Sequence, residues 1–327
     1  MPRNASQAEL AQILTSRTQL IDAGASSRTI GARIRGGELG VIRRGWFAET
    51  TLVDDLWPES RHLLHVMAVA RDGHGSGVLS HVSAAVAHGL PLYRVRPARV
   101  HLTTAAPSRI ASGHDVFRHV APLPPMDVTT VDGLVCTSLE RTVFDCVRTL
   151  PLEAAVSIAD AAERLMVLAG REWDQDAADR WRRGLRDRVE RASGARGIRA
   201  ARFVSDFANG RAQLPLESVS RLQLHRLGFR AVRLQVPVAA PGGGWFFVDL
   251  GLDKVETFAE CDGEGKYRDE AMRSGRSLEQ VLLDEKSRED WIRGTTGWRV
   301  IRWGDRPAGS AQALAILLRS FGIRLPN

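Results

Sequence analysis

Residues 245–267, WFFVDLGLDKVETFAECDGEGKY, constrain the fold more than any other stretch. Phe246, Phe247 and Val248 lead into Asp249, and Val255, Thr257, Phe258 and Ala259 lead into Glu260 and Asp262. Apolar runs of this length predict two β-strands joined by a short turn. Acids at the ends of such strands are poorly explained by packing, because a lone carboxylate is costly to bury. Glu260 and Asp262 lie two apart and share one face, which turns Cys261 to the opposite face and into a core. Asp249, on the neighbouring strand, completes a set of three. Carboxylates brought together repel, and a bound cation is the usual remedy. The plainer alternative is surface acids on an edge strand.

The flanking sequence extends the pattern. A helix is expected from Leu214, with Pro215 and Glu217 in its first turn and Gly228 as its stop. An alternating strand follows over residues 229–237, with Arg230, Val232, Leu234 and Val236 on one face. A turn at residues 241–244 leads into the acidic hairpin. Beyond a charged loop come a helix over 282–293, a strand over 298–303 and a closing helix over 310–321. Phosphodiester hydrolysis needs an activated water, in-line geometry and charge neutralisation on the leaving oxygen. One or two Mg²⁺ (or Mn²⁺) ions held by carboxylates supply all three. On this view Asp249, Glu260 and Asp262 are metal ligands, and Glu217 adds a ligand or orients a metal-bound water. Lys266 or Lys286 stabilises the phosphorane or positions the water. Glu217 also reads as an ordinary helix-start residue, Lys266 as a loop lysine, and Lys286 as the ion-pair partner of Asp290.

The chain has 327 residues, enough for two or three domains, and a formal net charge of +7 that favours an anionic partner such as nucleic acid. All but three of the 45 Lys+Arg residues are arginine. The three lysines, Lys254, Lys266 and Lys286, all fall in the segment that carries the acids. The cysteines (Cys136, Cys146, Cys261) are odd in number and widely spaced, which points away from disulfides and fits a reducing cytosol. No apolar run approaches the ~20 residues that span a bilayer. The opening MPRNASQAEL has no signal-peptide core, so a cytoplasmic location is expected.

Toward the other end, Ser6 and Glu9 form a capping-box pattern for a first helix. Ser16 caps a second, and Ser26 or Ser27 a third, on which Ile30 and Ile34 share a face and Arg28, Arg33 and Arg35 lie outside. Residues 41–47, with Arg43 and Arg44 at their centre, predict two short strands. Helix, turn, basic helix and hairpin form the winged helix-turn-helix plan, whose third helix enters the major groove while the wing touches backbone. Residues 51–170 predict an α/β region. It holds helices over 58–71 and 78–89, strands near 99–103, 115–119, 127–130 and 134–136, a capping box from Thr137 to Glu140, and two further helices. His81 and His88, two helical turns apart, are expected to share a face as structural residues, and Arg141 to pair with Asp145. Residues 171–210 are an arginine-rich helical linker broken at Ser193-Gly194. Residues 211–327 are the last domain.

Two resemblances follow from these segments. SRTQLIDAGASSRTIGARIRGGELGVIRRGWF resembles the N-terminal winged helix of AbiEi-type antitoxins, autorepressors of type IV toxin–antitoxin systems. LSHVSAAVAHGLPL and TSLERTVFDCVRTL resemble the central domain that follows it. LPLESVSR, FFVDLGL, AECDGEGKY, LLDEKSREDWI and GWRVIRW resemble the very-short-patch-repair-like branch of the PD-(D/E)xK, or restriction-endonuclease-like, superfamily. The resemblance implies a multidomain α/β protein whose last third is an α/β core on a mixed sheet. It implies DNA as the partner, with a toxin partner as the AbiEi likeness suggests. One departure stands out: the superfamily's lysine normally sits two residues after the second acid, where this chain has Asp262. A DNA-binding protein with a metal-dependent endonuclease domain is therefore expected. The alternative is an AbiEi-type regulator whose nuclease-like domain binds without cutting. Oligomeric state is not specified by the sequence.

Overall fold

The computed structural model describes residues 4–73, 77–105, 111–169, 172–262 and 278–326. Among them are fourteen α-helices and fourteen strands in four sheets, a mixed α/β architecture. Among the described residues no helix is long and apolar enough to cross a membrane. The chain divides into two compact units, residues 1–158 with 180–206, and residues 159–179 with 207–327. The arginine-rich stretch 171–210 is shared between them.

The first unit opens with α1 (Gln7–Ile13), β1 (Thr15–Ser16), α2 (Arg17–Asp22), α3 (Ser27–Arg35), β2 (Leu39–Arg43) and β3 (Trp46–Glu49). The strands form a sheet in the order β1-β3-β2. Three serines start the three helices. Ser6, Ser16 and Ser26 each accept a backbone N–H three residues on, and Glu9 and Gln19 return the bond to complete reciprocal capping boxes. Such a cap stabilises a helix by ~1 kcal/mol. Ile30 is buried with Leu39 and Phe47, against Leu20, Ala25 and Ile34.

Next come α4 (Thr50–Asp54), α5 (Pro58–Arg71), β4 (Val78–Leu79), α6 (His81–Ala87), β5 (Val100–Thr104), β6 (Val116–Val120), β7 (Val128–Val131), β8 (Leu134–Thr137) and α7 (Leu139–Thr149). The sheet order is β6-β5-β4-β8-β7, with β5–β6 and β4–β8 parallel. Two expectations are corrected here. Val78 and Leu79 do not start a helix; they form the central strand, pairing with Thr103 and Leu102 on one side, and Leu79 with Cys136 on the other. Periodicity alone does not separate a short buried strand from a helix start. The capping box at Thr137–Glu140 does not form. Thr137 Oγ1 bonds Thr142 Oγ1 at 2.6 Å, and Glu140 Oε1 instead accepts Arg188 Nε at 2.7 Å.

Arg141 pairs with Asp145 at 2.9 Å as expected, and also with Asp127 at 2.9 Å, where Arg188 arrives at 2.6 Å. Burial by itself raises the pKa of Asp127. Hydrogen bonds and charge from Arg188 and Arg141 outweigh it and hold the carboxyl below its usual 3.8. A depressed carboxyl contributes stability above its unfolded-state pKa and loses it as pH falls toward the folded value. Urea midpoints of the wild type are therefore expected to drop on acidification below pH 3.8 more than those of Asp127→Asn, which starts lower at neutral pH. Equal acid sensitivity of the two proteins counts against this role.

The chain continues through α8 (Leu152–Val167), β9 (Leu168–Ala169), β10 (Glu172–Trp173), α9 (Gln175–Arg191) and α10 (Ile198–Phe207), with the helix break where Ser193-Gly194 places it. The second unit then builds α11 (Pro215–Arg226), β11 (Arg233–Ala239), β12 (Trp245–Leu252), β13 (Thr257–Cys261), α12 (Leu278–Thr296), β14 (Arg299–Trp303), α13 (Asp305–Ala308) and α14 (Ala311–Ser320). Its mixed sheet runs β11-β12-β13-β14, antiparallel except for the parallel β13–β14 pair. Leu250, Leu252, Ala259, Cys261, Ile301 and Trp303 pack with Leu216 and Leu224 of α11 and Leu314 and Leu318 of α14. Val236, Val238, Val248 and Phe258 pack with Ile292 of α12.

Those two clusters reveal a switch in the sheet. Leu250 packs in the first and Val248 in the second, although residues two apart on a regular strand share a face. The facing strand changes in the same way between Leu234 and Val236, so these two do not share the face the sequence suggested. The change falls on Asp249 and on Gln235, whose φ of +49° is a left-handed conformation that non-glycine residues adopt at a cost of about 1–3 kcal/mol. Val255 lies in a 3₁₀ turn rather than in β13, which begins after Glu256 (φ +45°).

Candidate active site

The β12–β13 ladder pairs Leu252 with Thr257, Gly251 with Phe258 and Leu250 with Ala259. The next residues on the two strands are Asp249 and Glu260, both buried, at 6% and 5% exposure. There the strands open. A side chain replaces the ladder carbonyl: Asp249 Oδ2 accepts the Cys261 N–H at 2.8 Å. Cys261 is in the core, as its place between Glu260 and Asp262 requires. Glu217, in the first turn of α11, is buried at 1% exposure. Its Oε2 accepts the Gln213 N–H and Gln235 Nε2, both at 3.0 Å. Gln235 Nε2 also faces Asp249 Oδ1 at 3.4 Å, so one amide bridges two buried acids.

Glu260 and Asp262 are held from other sides. Arg288 Nη1 of α12 lies 2.9 Å from Glu260 Oε1, and Arg288 Nη2 donates to the Phe247 carbonyl at 2.6 Å. Asp262 donates its N–H to the Trp303 carbonyl at 2.9 Å, and its Oδ2 lies 3.4 Å from Arg302 Nη1. Arg302, beside Glu260 in the parallel β13–β14 register, also reaches Glu285 at 3.5 Å and Glu289 at 3.4 Å. Glu217 and Asp249 are thus joined through Gln235, whereas Glu260 and Asp262 are each drawn to a guanidinium.

Of the two lysines, only Lys286 is among the described residues, and it does not take the expected place. Lys266 lies outside the described residues. Lys286 is exposed, because α12 turns Glu285, Arg288, Glu289 and Ile292 toward the sheet, spaced by three, four and seven residues. Lys286 sits one position off that stripe, and Asp290 pairs with Arg293 at 2.6 Å. The sequence reading missed Gln235, Gln213, Arg288 and Arg302. Only Gln235 left a trace there, as an amide between Leu234 and Val236 in an apolar strand.

At the other candidate surface, Arg28 and Arg35 are exposed on α3, and Arg44 is exposed between β2 and β3. Arg33 pairs with Glu38 at 3.4 Å and Glu49 at 3.8 Å. Arg43 turns inward, to Asp72 at 2.7 Å and Asp115 at 2.9 Å, which makes it a tie within the unit.

The two histidines singled out in the sequence contact different strands. His88 caps α6 with Nε2 2.8 Å from the Thr137 carbonyl. His81 opens α6 with φ +51° and stacks on His119, with ring centroids 3.7 Å apart and planes inclined by 13°. His119 Nε2 in turn lies 3.1 Å from His101 Nδ1. Burial pushes all three imidazoles down, with neighbouring rings and arginines adding to the effect at His81 and His101: His81 to about 2, His101 to about 4 and His119 to about 4. Among the described residues, these three form the one set of three His, Cys, Asp or Glu ligand atoms lying within 4.8 Å of one another. The acids of β12 and β13 are spread more widely.

No family model matches the chain. It is similar to two uncharacterized proteins of Mycobacterium tuberculosis, Rv2248 of strain H37Rv and MT2308 of strain CDC 1551. Each is 36% identical over 132 residues, which is 40% of this chain. The match spans 44% of the length of those relatives. Among solved structures, the crystal structure of the RV2827C protein from Mycobacterium tuberculosis aligns over 74% of this chain and 91% of its own, at 14% identity and a TM-score of 0.34.

Proposed function

We propose that this chain is a DNA-binding protein whose second unit hydrolyses phosphodiester bonds with a bound Mg²⁺ (or Mn²⁺) ion. One observation carries the proposal: Asp249 and Glu260 stand buried on adjacent strands where their ladder opens, with Glu217 linked to Asp249 through Gln235. Buried carboxylates at this density call for cations. The donors are all oxygens, the kind a hard divalent cation takes. Asp249, Glu260 and Asp262 would hold the ion, which supplies a polarised water and neutralises charge on the leaving oxygen. Glu217 orients the site through Gln235. Arg288 and Arg302, already held by acids, are positioned to meet phosphate oxygens in the role first given to lysine. Support for the endonuclease-like core comes from the order of elements, helix α11, antiparallel β11-β12-β13, helix α12, parallel β14.

The winged helix reading rests on the order α1-β1-α2-α3-β2-β3 with sheet β1-β3-β2 and on the exposure of Arg28, Arg35 and Arg44. A second function, an AbiEi-type regulator that binds without cutting and works with a toxin partner, is favoured by the Arg288–Glu260 and Arg302–Asp262 pairs. Those pairs neutralise the acids without a metal. Incubation with supercoiled plasmid, single-stranded DNA and RNA, with Mg²⁺ or Mn²⁺ against a chelator, separates the two. Metal-dependent nicking is expected; intact nucleic acid with a retained mobility shift transfers the assignment to the regulator. Arg28→Ala/Arg35→Ala is expected to weaken the shift and to lower the salt dependence of binding by about two in slope. Undiminished binding places the DNA contact elsewhere.

A further inference from the structure

We propose that His81, His101 and His119 of the first unit form a binding site for a zinc-class divalent transition-metal ion, separate from the acidic site of the second unit. His101 and His119 stand on the adjacent parallel strands β5 and β6, where His101 pairs with Phe117 and Thr103 with His119. Their side chains therefore share one face of the sheet. His81 meets that face from the start of α6, and its left-handed backbone aims the ring there. Such strain persists where the surroundings hold it, and it clusters at ligand sites. Tetrahedral zinc with Zn–N bonds of about 2.0–2.1 Å sets its ligand nitrogens about 3.3–3.4 Å apart. The His101–His119 pair, at 3.1 Å, is near that spacing, and every nitrogen of the set lies within 4.8 Å of the others. For both to ligate one ion, the stacked His81 and His119 rings must turn edge-on to it, opening their planes well beyond 13°.

Second contacts fit the same site. His81 Nδ1 lies 3.0 Å from Ser80 Oγ, a bond that orients the ring and leaves Nε2 for the ion, as ligating imidazoles are commonly held. Thr103 is fully buried on the histidine face, and its hydroxyl has no hydrogen-bond partner among the described residues. Three-histidine zinc sites keep a fourth position open for water, and Thr103 stands beside His119 on this face. Arg141 near the rings is neutralised by Asp127 and Asp145.

The test is a titration of the chelator-treated full chain with Co²⁺ and Zn²⁺. One Co²⁺ per chain with the visible absorption of a tetrahedral nitrogen site is expected, displaced by Zn²⁺. The zinc X-ray absorption edge should show nitrogen and oxygen neighbours only. Both His101→Ala and His119→Gln should lose affinity on the order of 100-fold or more, since even outer partners of ligating histidines cost 10–100-fold. Asp249→Ala/Glu260→Ala should keep the Co²⁺ spectrum. Absence of a one-to-one tetrahedral spectrum in the wild type overturns the proposal. So does its survival in the histidine variants, its loss in the acidic double variant, or sulfur in the first shell. The wild-type measurements stand on their own should a histidine variant fail to fold.

Discussion

Asparagine at Asp249 is expected to slow metal-dependent cleavage by on the order of 10³-fold while leaving the second unit folded. The substitution separates two jobs of one side chain. Asp249 Oδ2 accepts the Cys261 N–H where the β12–β13 ladder opens, and an asparagine carbonyl accepts the same bond. What is lost is the negative charge toward the cation. Losing one transition-state hydrogen-bond donor already costs about 10²–10³ in rate, and losing a metal ligand costs at least as much. Glu260→Gln tests the neighbouring acid, although it also weakens the 2.9 Å pair with Arg288. The measurement is single-turnover cleavage across a range of Mg²⁺ concentrations, with urea midpoints for folding. Wild-type rates from Asp249→Asn, in a preparation that cleaves only with metal, would remove Asp249 from the chemistry and sink the arrangement proposed around it.

Methionine at Arg221 is expected to destabilise the second unit by about 3–5 kcal/mol, the cost of leaving a buried charge without its partner. Arg221 Nη2 bonds both oxygens of Asp160, at 3.1 and 3.0 Å, and its Nη1 donates to the Phe207 carbonyl at 2.7 Å. Its guanidinium also lies 3.9 Å over the Phe207 ring. Asp160 is 1% exposed, and burial raises its pKa above 3.8 even with Arg221 beside it. Without the arginine the rise is larger. A carboxyl whose folded pKa is raised contributes stability below its unfolded pKa and loses it as pH climbs through the folded value. Arg221→Met should therefore be least impaired in acid and most impaired at neutral pH. Adding Asp160→Leu should recover much of the loss, since apolar replacement of a whole buried pair is often neutral. Urea titrations at several pH values check both, and a deficit independent of pH would mean that the lost contact with Phe207 is what matters.

Local structure was largely legible because it depends on neighbours in sequence. Ser6, Ser16 and Ser26 cap helices wherever a short hydroxyl precedes a helical run. The helix Pro58–Arg71 and the strands of the acidic hairpin follow from apolar spacing in the same way. Failures came where a short apolar run was decided by its surroundings. Val78 and Leu79 are a strand because Thr103, Leu102 and Cys136 offer ladder partners, and none of these is near in sequence.

The candidate sites divide along the same line. The order of residues by itself determined that Glu260 and Asp262 share a face opposite Cys261, since alternation is a property of any strand. It also identified Asp249 as the acid of the adjoining strand. Only the tertiary structure decided that Gln235 would join Glu217 to Asp249, and that Arg288 rather than Lys286 would reach Glu260. Those contacts depend on how a strand switches faces and on the rotation of α12 about its axis, which packing of Ile292 settles. His101 and His119 join His81 for the same reason: eighteen residues separate His101 from His119, and a parallel ladder brings them together. Periodicity fixes which way a side chain points within its own element, whereas the meeting of side chains from different elements is set by the packing of the whole unit.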